Sequence, residues 1–278
     1  MKFITTILIF CLIQATAISQ NVRVYSINKN GAKGQLIWTE KHQNEQLIER
    51  SQYNENGQLA YVISKTYNAE NLLIKEVKRF KIGHEYDLIT EFDYDSEGRK
   101  INKLSGNNRT GKWSSEGYDY NAKGDLATIY FYQKNGDLTN SRIFEYSYNS
   151  NGEKTKVIRI DMDLEMDEET SRSTSLYEYK VDNYDQKITE KDENNDVIFT
   201  EWLTNNADNQ PEIIEYKLPY FPKSKTIYNY NNGKCYKQIE YIDGKITTTT
   251  SFKYDNKGRV IEKKYKTQNG YGGEIYVY

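Results

Sequence analysis

One short pattern recurs along most of this chain: a tyrosine, then asparagine or aspartate, then two variable residues and a glycine. Five complete copies begin at Tyr53, Tyr94, Tyr120, Tyr148 and Tyr254. Their Asx and glycine positions are Asn54 and Gly57, Asp95 and Gly98, Asn121 and Gly124, Asn149 and Gly152, and Asp255 and Gly258. Other copies are degenerate, with asparagine in place of glycine at Asn71 and Asn195. A repeat of this kind constrains the fold more than any other feature of the sequence.

Each copy has the composition of a chain reversal. An Asx side chain accepts hydrogen bonds from its own turn backbone, and glycine adopts the positive φ that ends a type I turn. Tyr230-Asn231-Asn232-Gly233 and Tyr241-Ile242-Asp243-Gly244 are one residue shorter. Their Asn-Gly and Asp-Gly pairs predict tight primed hairpin turns.

Between the turns, side chains alternate with a period of two residues. One face of a predicted strand carries Ile246, Thr248, Thr250, Phe252 and Tyr254, for example. Such alternation is typical of half-buried antiparallel strands, and no capped apolar stripe predicts a helix after the first 19 residues. We therefore expect an all-β fold, an antiparallel up-and-down array of β-hairpins. The array would form one long curved and twisted repeat sheet, either open or partly closed into a barrel.

Composition indicates a thin sheet and limits the partners. Hydrophobic residues, including 26 tyrosines, make up only 37% of the chain, and 28% of residues are charged. A thick core with two apolar layers is therefore not expected, and the tyrosines are expected to form cross-strand pairs. The 38 basic and 40 acidic residues are spread evenly. The sequence thus offers no basic patch for nucleic acid or an anionic membrane surface.

The N-terminus predicts export. Met1 and Lys2 precede an apolar run from Phe3 to Ala17, which is too short to span a bilayer and typical of a secretory signal. We expect residues 1–19 to be a signal peptide and residues 20–278 to be one repeat domain in the periplasm, at the cell surface or outside the cell. Cys11 is a poor match to a lipoprotein cleavage site, because Phe10 precedes it. Cys235 is then the only cysteine of the mature chain, expected to be half-buried and not a nucleophile.

The repeat weakens between residues 154 and 225. This stretch holds the three prolines, Pro211, Pro219 and Pro222. Proline cannot donate a hydrogen bond to a sheet. The sequence therefore predicts a bend or an uncovered sheet edge between Pro211 and Pro222.

The copies at Tyr94 to Arg99 and Tyr254 to Arg259 resemble the YD repeats of the RHS family. The resemblance extends over roughly residues 45–275 and depends on the array of motifs. It implies a sheet of hairpins that winds into a hollow shell, which encloses a toxin in large bacterial members and forms a barrel in cell-surface adhesion proteins. This chain is too short for a closed shell of that kind, and no toxin-like segment follows its last repeat. It is similar to small exported bacterial members, some of them labelled sugar-binding.

The three tryptophans are the candidate ligand-binding residues. Trp38, Trp113 and Trp202 lie outside the repeat motif, and indole rings stack on sugar rings or anchor protein interfaces. We expect a non-catalytic binding or adhesion protein whose partner is an extracellular glycan or a surface protein. The alternatives are a polysaccharide hydrolase and an immunity or chaperone-like partner of a toxin.

Evidence for catalysis or metal binding is sparse in the sequence. His42 and His84 have no second ligand at metal spacing, and no nucleophile elbow or phosphate-binding loop occurs. Four acidic residues, Asp161, Asp163, Glu165 and Asp167, alternate. On a strand they would share one face and offer oxygens to Ca²⁺, although the run fails as an EF-hand loop. The competing interpretation is a solvated acidic loop.

Overall fold

The computed structural model describes residues 19–278 apart from residues 29, 31 and 84. The predicted signal peptide, except Ser19, therefore lies outside the described residues, as do Cys11 and His84. The described part contains twenty β-strands and no helix. They are β1 Ser19–Ile27, β2 Lys33–Gln43, β3 Gln46–Tyr53, β4 Leu59–Tyr67, β5 Leu73–Phe80, β6 Asp87–Tyr94, β7 Lys100–Asn107, β8 Lys112–Tyr120, β9 Leu126–Tyr132, β10 Leu138–Tyr148, β11 Lys154–Asp163, β12 Glu168–Val181, β13 Tyr184–Lys191, β14 Val197–Asn205, β15 Pro211–Lys217, β16 Ser224–Asn231, β17 Lys234–Ile242, β18 Lys245–Tyr254, β19 Val260–Thr267 and β20 Gly270–Val277.

The strands form a closed up-and-down barrel. Each strand pairs antiparallel with the next along the chain, and β1 also pairs with β20, where Arg23 lies opposite Val277 and Ser26 opposite Glu274. The predicted antiparallel array of hairpins is confirmed. Of the two forms that the sequence left open, an open sheet and a partly closed barrel, the chain adopts the closed one, because strand twist and register bring the two edge strands together.

The barrel is hollow. Only Val22, Val24 and Ile160 are buried hydrophobic residues in the described part of the chain. Twenty strands spaced about 4.8 Å apart give a perimeter of roughly 96 Å, or about 30 Å across for a round section. Side chains fill a barrel of about eight strands and leave a channel in one of sixteen or more. Most side chains are therefore half-buried against their neighbours in the wall.

The two rims of the barrel differ in their turns. The terminal rim holds both ends of the barrel sequence, near Ser19 and Tyr278, and the turns that follow even-numbered strands. The far rim holds the turns that follow odd-numbered strands. Of the five complete motifs, four lie on the terminal rim and the one at Asn54 lies on the far rim.

The motif turns share one geometry. In all five complete copies the Asx Oδ1 accepts hydrogen bonds from the backbone N–H groups two and four residues later, at 2.9–3.0 Å. The five glycines have φ between 74° and 82°. The shorter turns at Asn232-Gly233 and Asp243-Gly244 have positive φ at both residues, as primed hairpins require. The Asx and glycine residues therefore fix where each strand ends.

Tyrosine hydroxyls tie neighbouring strands together at the terminal rim. In eight even-numbered strands, a tyrosine at or near the end donates to the main-chain carbonyl at the start of the preceding strand, at 2.6–3.0 Å. We call this set the tyrosine ladder: Tyr67, Tyr94, Tyr120, Tyr146, Tyr179, Tyr230, Tyr254 and Tyr278. The sequence predicted cross-strand aromatic pairs, whereas here the phenol also supplies a hydrogen bond that phenylalanine lacks.

The proline region is an unbroken part of the barrel. Pro211 begins β15, which pairs with β14 on one side and with β16 on the other. Pro219 and Pro222 lie in the far-rim loop between β15 and β16. The predicted uncovered edge is therefore wrong, because a proline at the first residue of a strand leaves the rest of the ladder intact.

Candidate binding site

A row of five side chains crosses the wall from β13 to β17. Lys187 lies opposite Trp202, Trp202 opposite Glu215, Glu215 opposite Lys225, and Lys225 opposite Tyr241. Directly opposed residues in antiparallel strands point to the same face of a sheet. Indole, carboxylate, ammonium and phenol groups are thus placed side by side on one face of the barrel wall.

The hairpins on either side of Glu215 set this register. Asn206 Oδ1 accepts hydrogen bonds from Asp208 N and Gln210 N at 3.0 and 2.9 Å, and Asn209 has φ of 58°. This turn is a degenerate copy of the repeat in which asparagine replaces glycine. On the other side of Glu215, the loop with the two prolines returns the chain and brings Lys223 beside the row.

Glu215 is the charged centre of the site. Its side chain is only 10% exposed, and it lies 2.6 Å from Lys223 Nζ and 3.3 Å from Lys225 Nζ. Tyr184 Oη donates to its Oε2 at 2.7 Å. Burial alone would raise the pKa of Glu215, but the hydrogen bonds from Lys223 and Tyr184 and the lysine charges lower it. Glu215 is therefore held ionised and in a fixed position.

Trp202 lies beside this carboxylate and is itself partly covered. The Tyr184 ring lies 6.2 Å from the indole at a tilt of 42°, and Lys223 Nζ lies 4.8 Å from the indole centroid. On the other side of Glu215 is a cavity of about 470 Å³, lined by Lys223, Lys225, Ile227, Tyr241, Asp243 and Gly244 together with Glu215. That volume lies within the range of small-molecule sites.

Trp38 lies in the seam that closes the barrel. It is opposite Val24, the only large side chain that is fully buried in the described residues, and its ring makes an edge contact with Tyr276 at 6.4 Å. Its Nε1 is buried without a hydrogen-bond partner. Arg50 lies 5.9 Å from the ring. The surroundings of Trp38 are those of a packing residue.

Trp113 covers a glycine on the neighbouring strand. Gly106 is its cross-strand partner, and a Cβ atom on Gly106 would lie 2.1 Å from Trp113 Cδ2. The indole thus fills the space that a side chain at residue 106 would occupy, a known way to stabilise glycine in a sheet.

The structure does not bring the three tryptophans together. They lie on β2, β8 and β14, so that neighbours are six strands apart. At about 4.8 Å per strand this is roughly 29 Å along the wall. A single sugar unit cannot contact two of them, and each must be considered as a separate site.

The acidic run does not lie on one strand face. β11 ends at Asp163, and the chain turns before β12 begins at Glu168, so Glu165 and Asp167 lie in the turn. Asp163 Oδ1 accepts hydrogen bonds from Glu165 N and Met166 N. Asp161 is bound by Arg142 Nε at 2.5 Å and by Ser171 Oγ at 2.9 Å. The strand geometry assumed for a Ca²⁺ site is therefore wrong, and in the described residues no three His, Cys, Asp or Glu side chains cluster to hold a metal.

Two further residues singled out in the sequence have ordinary surroundings. His42 Nε2 lies 3.0 Å from Glu40 Oε2, and Glu40 also accepts two hydrogen bonds from Arg50. Cys235 is a half-buried free thiol, and burial raises its pKa. A raised pKa disfavours the thiolate that a nucleophile needs.

Sequence reasoning found Trp202 but missed Tyr184, Glu215, Lys223 and Lys225. The signal that was available is the turn from Asn206 to Asn209. Counting outward from the Asn206–Gln210 hydrogen bond that closes that turn places residue 202 opposite residue 214, and the register shift between Thr204 and Asn205 moves its partner to Glu215. The contribution of Lys223 depends on the path of the proline loop, which no local pattern indicates.

In the part of the chain that the structure describes, no helix is both long enough and apolar enough to cross a membrane.

Comparison with known proteins gives distant structural matches only. No family model matches the chain, and no curated protein matches it. The chain is similar to the crystal structure of TcdB2-TccC3-Cdc42, with a TM-score of 0.33 and 14% identity over 87% of this chain and 15% of that chain. A crystal structure of TcdB2-TccC3 gives a TM-score of 0.38 and 13% identity over 91% of this chain and 15% of that chain. A porin-like protein from Bacteroides uniformis ATCC 8492 gives a TM-score of 0.35 and 12% identity over 92% of this chain and 96% of that chain. Similarity at this level carries no information about function, and membership of the RHS family stays a prediction.

Proposed function

We propose that this protein is an exported, non-catalytic binding barrel and that it binds carbohydrate at Trp202. The observation that carries the proposal is the row in which Trp202 lies directly opposite a buried, ionised Glu215 beside a cavity of about 470 Å³. The RHS-like repeats, if they mark a small exported member of that family, are consistent with the same function.

The chemistry of the row suits a sugar. An indole ring stacks on the apolar face of a pyranose, while a fixed carboxylate accepts hydrogen bonds from its hydroxyl groups. Lys223 and Lys225 can donate hydrogen bonds to the sugar, and the Tyr241 hydroxyl can donate or accept one. Lys223 reaches the indole from a loop, and its side chain is 45% exposed. We expect its ammonium group to move off the ring when a sugar stacks there.

The state of Glu215 disfavours it as the general acid of a hydrolase. A glycosidase needs a carboxylic acid whose pKa is raised so that it can protonate the leaving group. The pKa of Glu215 is lowered by its lysine and tyrosine partners. An ionised carboxylate held by two lysines can orient a hydroxyl group but is a poor proton donor.

Ion pairs lie on both faces of the wall, which indicates that water reaches both the inside and the outside of the barrel. Glu40 and Lys41 are consecutive in β2 and point to opposite faces. Glu40 pairs with Arg50 at 2.6 Å, and Lys41 pairs with Glu49 at 2.7 Å, each directly across from β2 to β3. A secreted or periplasmic barrel with a water-filled interior accommodates both pairs.

The test is a glycan-array screen of the purified protein followed by titration of the glycans that bind. We expect Trp202→Ala to abolish binding and Trp202→Phe to retain part of it, because phenylalanine keeps a stacking ring. Trp113→Ala is the matched control, since Trp113 covers Gly106 far from the row. The melting temperature of each variant shows whether the fold is intact.

Three results would contradict the proposal. They are a wild-type protein that binds no glycan, equal loss of binding in the Trp113 and Trp202 variants, and turnover of the glycan by the wild-type protein. The last result would instead favour the hydrolase alternative.

A further inference from the structure

Exposed hydrophobic side chains are concentrated at one end of the barrel. Seventeen large hydrophobic residues are exposed in the described chain, and thirteen of them lie in far-rim loops or in the far-rim halves of strands. The other four are Ile101, Tyr236, Val277 and Tyr278. The most exposed are Tyr220 at 96% and Tyr271 at 79%, both on the far rim. Scattered exposed hydrophobics are ordinary, but a one-sided set marks an interaction surface.

Between β7 and β14, charged residues on the far rim form two arcs of opposite sign. A basic arc follows the far-rim turns between β7 and β10, where Arg109, Lys112 and Lys134 outnumber the one exposed acidic residue, Asp137. An acidic arc follows the far-rim turns between β11 and β14 and contains Glu165, Asp167, Glu193 and Asp196. These three basic and four acidic residues are exposed, and none of them makes an ion pair within the described chain. Most of the described ion pairs, in contrast, join neighbouring strands within the wall.

We propose that the far rim is a self-complementary interface that binds the far rim of a second copy of this chain. A rim with a perimeter of roughly 96 Å and a wall about 10 Å thick presents about 1000 Å². A stable interface of standard size buries about 800 Å² on each partner. The exposed hydrophobic side chains supply the apolar part of such a contact.

The order of the turns around the rim provides the symmetry. Ten turns lie on the far rim, and a two-fold axis can cross the rim between the fifth turn, after β9, and the sixth turn, after β11. That axis places the fourth turn against the partner's seventh, so Arg109 and Lys112 face Glu193 and Asp196. It also places the third turn against the eighth.

The same axis matches the hydrophobic and remaining charged turns. The third turn carries Ile82, and the eighth carries Tyr220 and Phe221, all of them exposed. Lys134 in the fifth turn faces Glu165 in the sixth. One two-fold axis thus matches opposite charges at two turn pairs and hydrophobic side chains at a third, as an isologous dimer requires.

Sedimentation velocity of the purified protein tests the proposal. We expect a dimer, and we expect Arg109→Glu with Lys112→Glu to weaken it about tenfold or more because like charges then face each other. Glu193→Lys with Asp196→Lys should do the same. Combining all four substitutions should restore dimerisation, and Phe221→Asp should abolish it. Lys257→Glu, an exposed charge reversal on the terminal rim, is the matched control and should change nothing.

Several outcomes would overturn the proposal. One is a monomer at concentrations up to about 100 µM. Another is a dimer that persists in Phe221→Asp or is not restored by the fourfold charge exchange. A monomer that instead co-sediments with phosphatidylglycerol vesicles would show that the far rim contacts lipid. The substituted residues are exposed, so circular dichroism is expected to confirm that every variant stays folded.

Discussion

The tyrosine ladder predicts that removing hydroxyl groups alone destabilises the barrel. Tyr94, Tyr146 and Tyr254 donate to the carbonyls of Leu73, Leu126 and Cys235 at 2.8, 2.7 and 2.6 Å. Replacing tyrosine with phenylalanine keeps the ring and deletes only the donor. A hydrogen bond of this kind contributes about 1 kcal/mol to the free energy of unfolding. We therefore expect about 1 kcal/mol of destabilisation for each single variant.

The effects should add, because the three tyrosines lie on β6, β10 and β18, at least four strands apart. The triple variant should lose about 3 kcal/mol. Urea unfolding followed by circular dichroism measures this loss as a fall of the midpoint by roughly 1 M at an unchanged slope. Tyr220→Phe is the control, since Tyr220 is 96% exposed. A triple variant within about 0.5 kcal/mol of the wild type would refute the structural role assigned to these hydroxyls.

Two further predictions concern alkaline stability and the motif turns. Burial raises the pKa of Tyr146, Tyr177 and Tyr228 above the ordinary value of 10.0. Keeping these three phenols neutral therefore stabilises the barrel fully below about pH 10. This stabilisation is lost as the pH rises through the raised pKa values of the folded state. The tyrosinate absorbance of these three residues, obtained as the difference between the wild type and each tyrosine-to-phenylalanine variant, should rise together with the loss of circular dichroism, and ionisation of the three near pH 10 in a folded barrel would contradict this. Gly124 has φ of 82°, so the Gly124→Ala variant should lose about 1 kcal/mol or more of the free energy of unfolding. Ala122→Ser in the same turn should have almost no effect, and equal melting temperatures for both variants would show that the glycine conformation is not required.

Local chemistry made the strands and motif turns predictable. The Asn121 to Gly124 turn contains its own hydrogen-bond acceptor and its own positive-φ residue, so these four residues determine its backbone conformation. Closure was not predictable in this way, because the pairing of Arg23 with Val277 joins residues at opposite ends of the chain. The contact between Trp202 and Glu215 depends on strand register. The alternation of charges over Asp161 to Asp167 fits both a strand face and a solvated loop, because it does not reveal that the chain turns at residue 164.

The pairing of β1 with β20 has a consequence for how the chain reaches its native state. β1 has one neighbour as soon as β2 is made, but its second neighbour, β20, is the last of the twenty strands to be synthesised. Until then, a growing sheet exposes unpaired backbone at both edges, and such edges template aggregation. Contacts between residues so far apart in sequence also form slowly. The chain therefore stays an open sheet until β20 is added, and the eight residues of that strand convert it into a barrel without an edge.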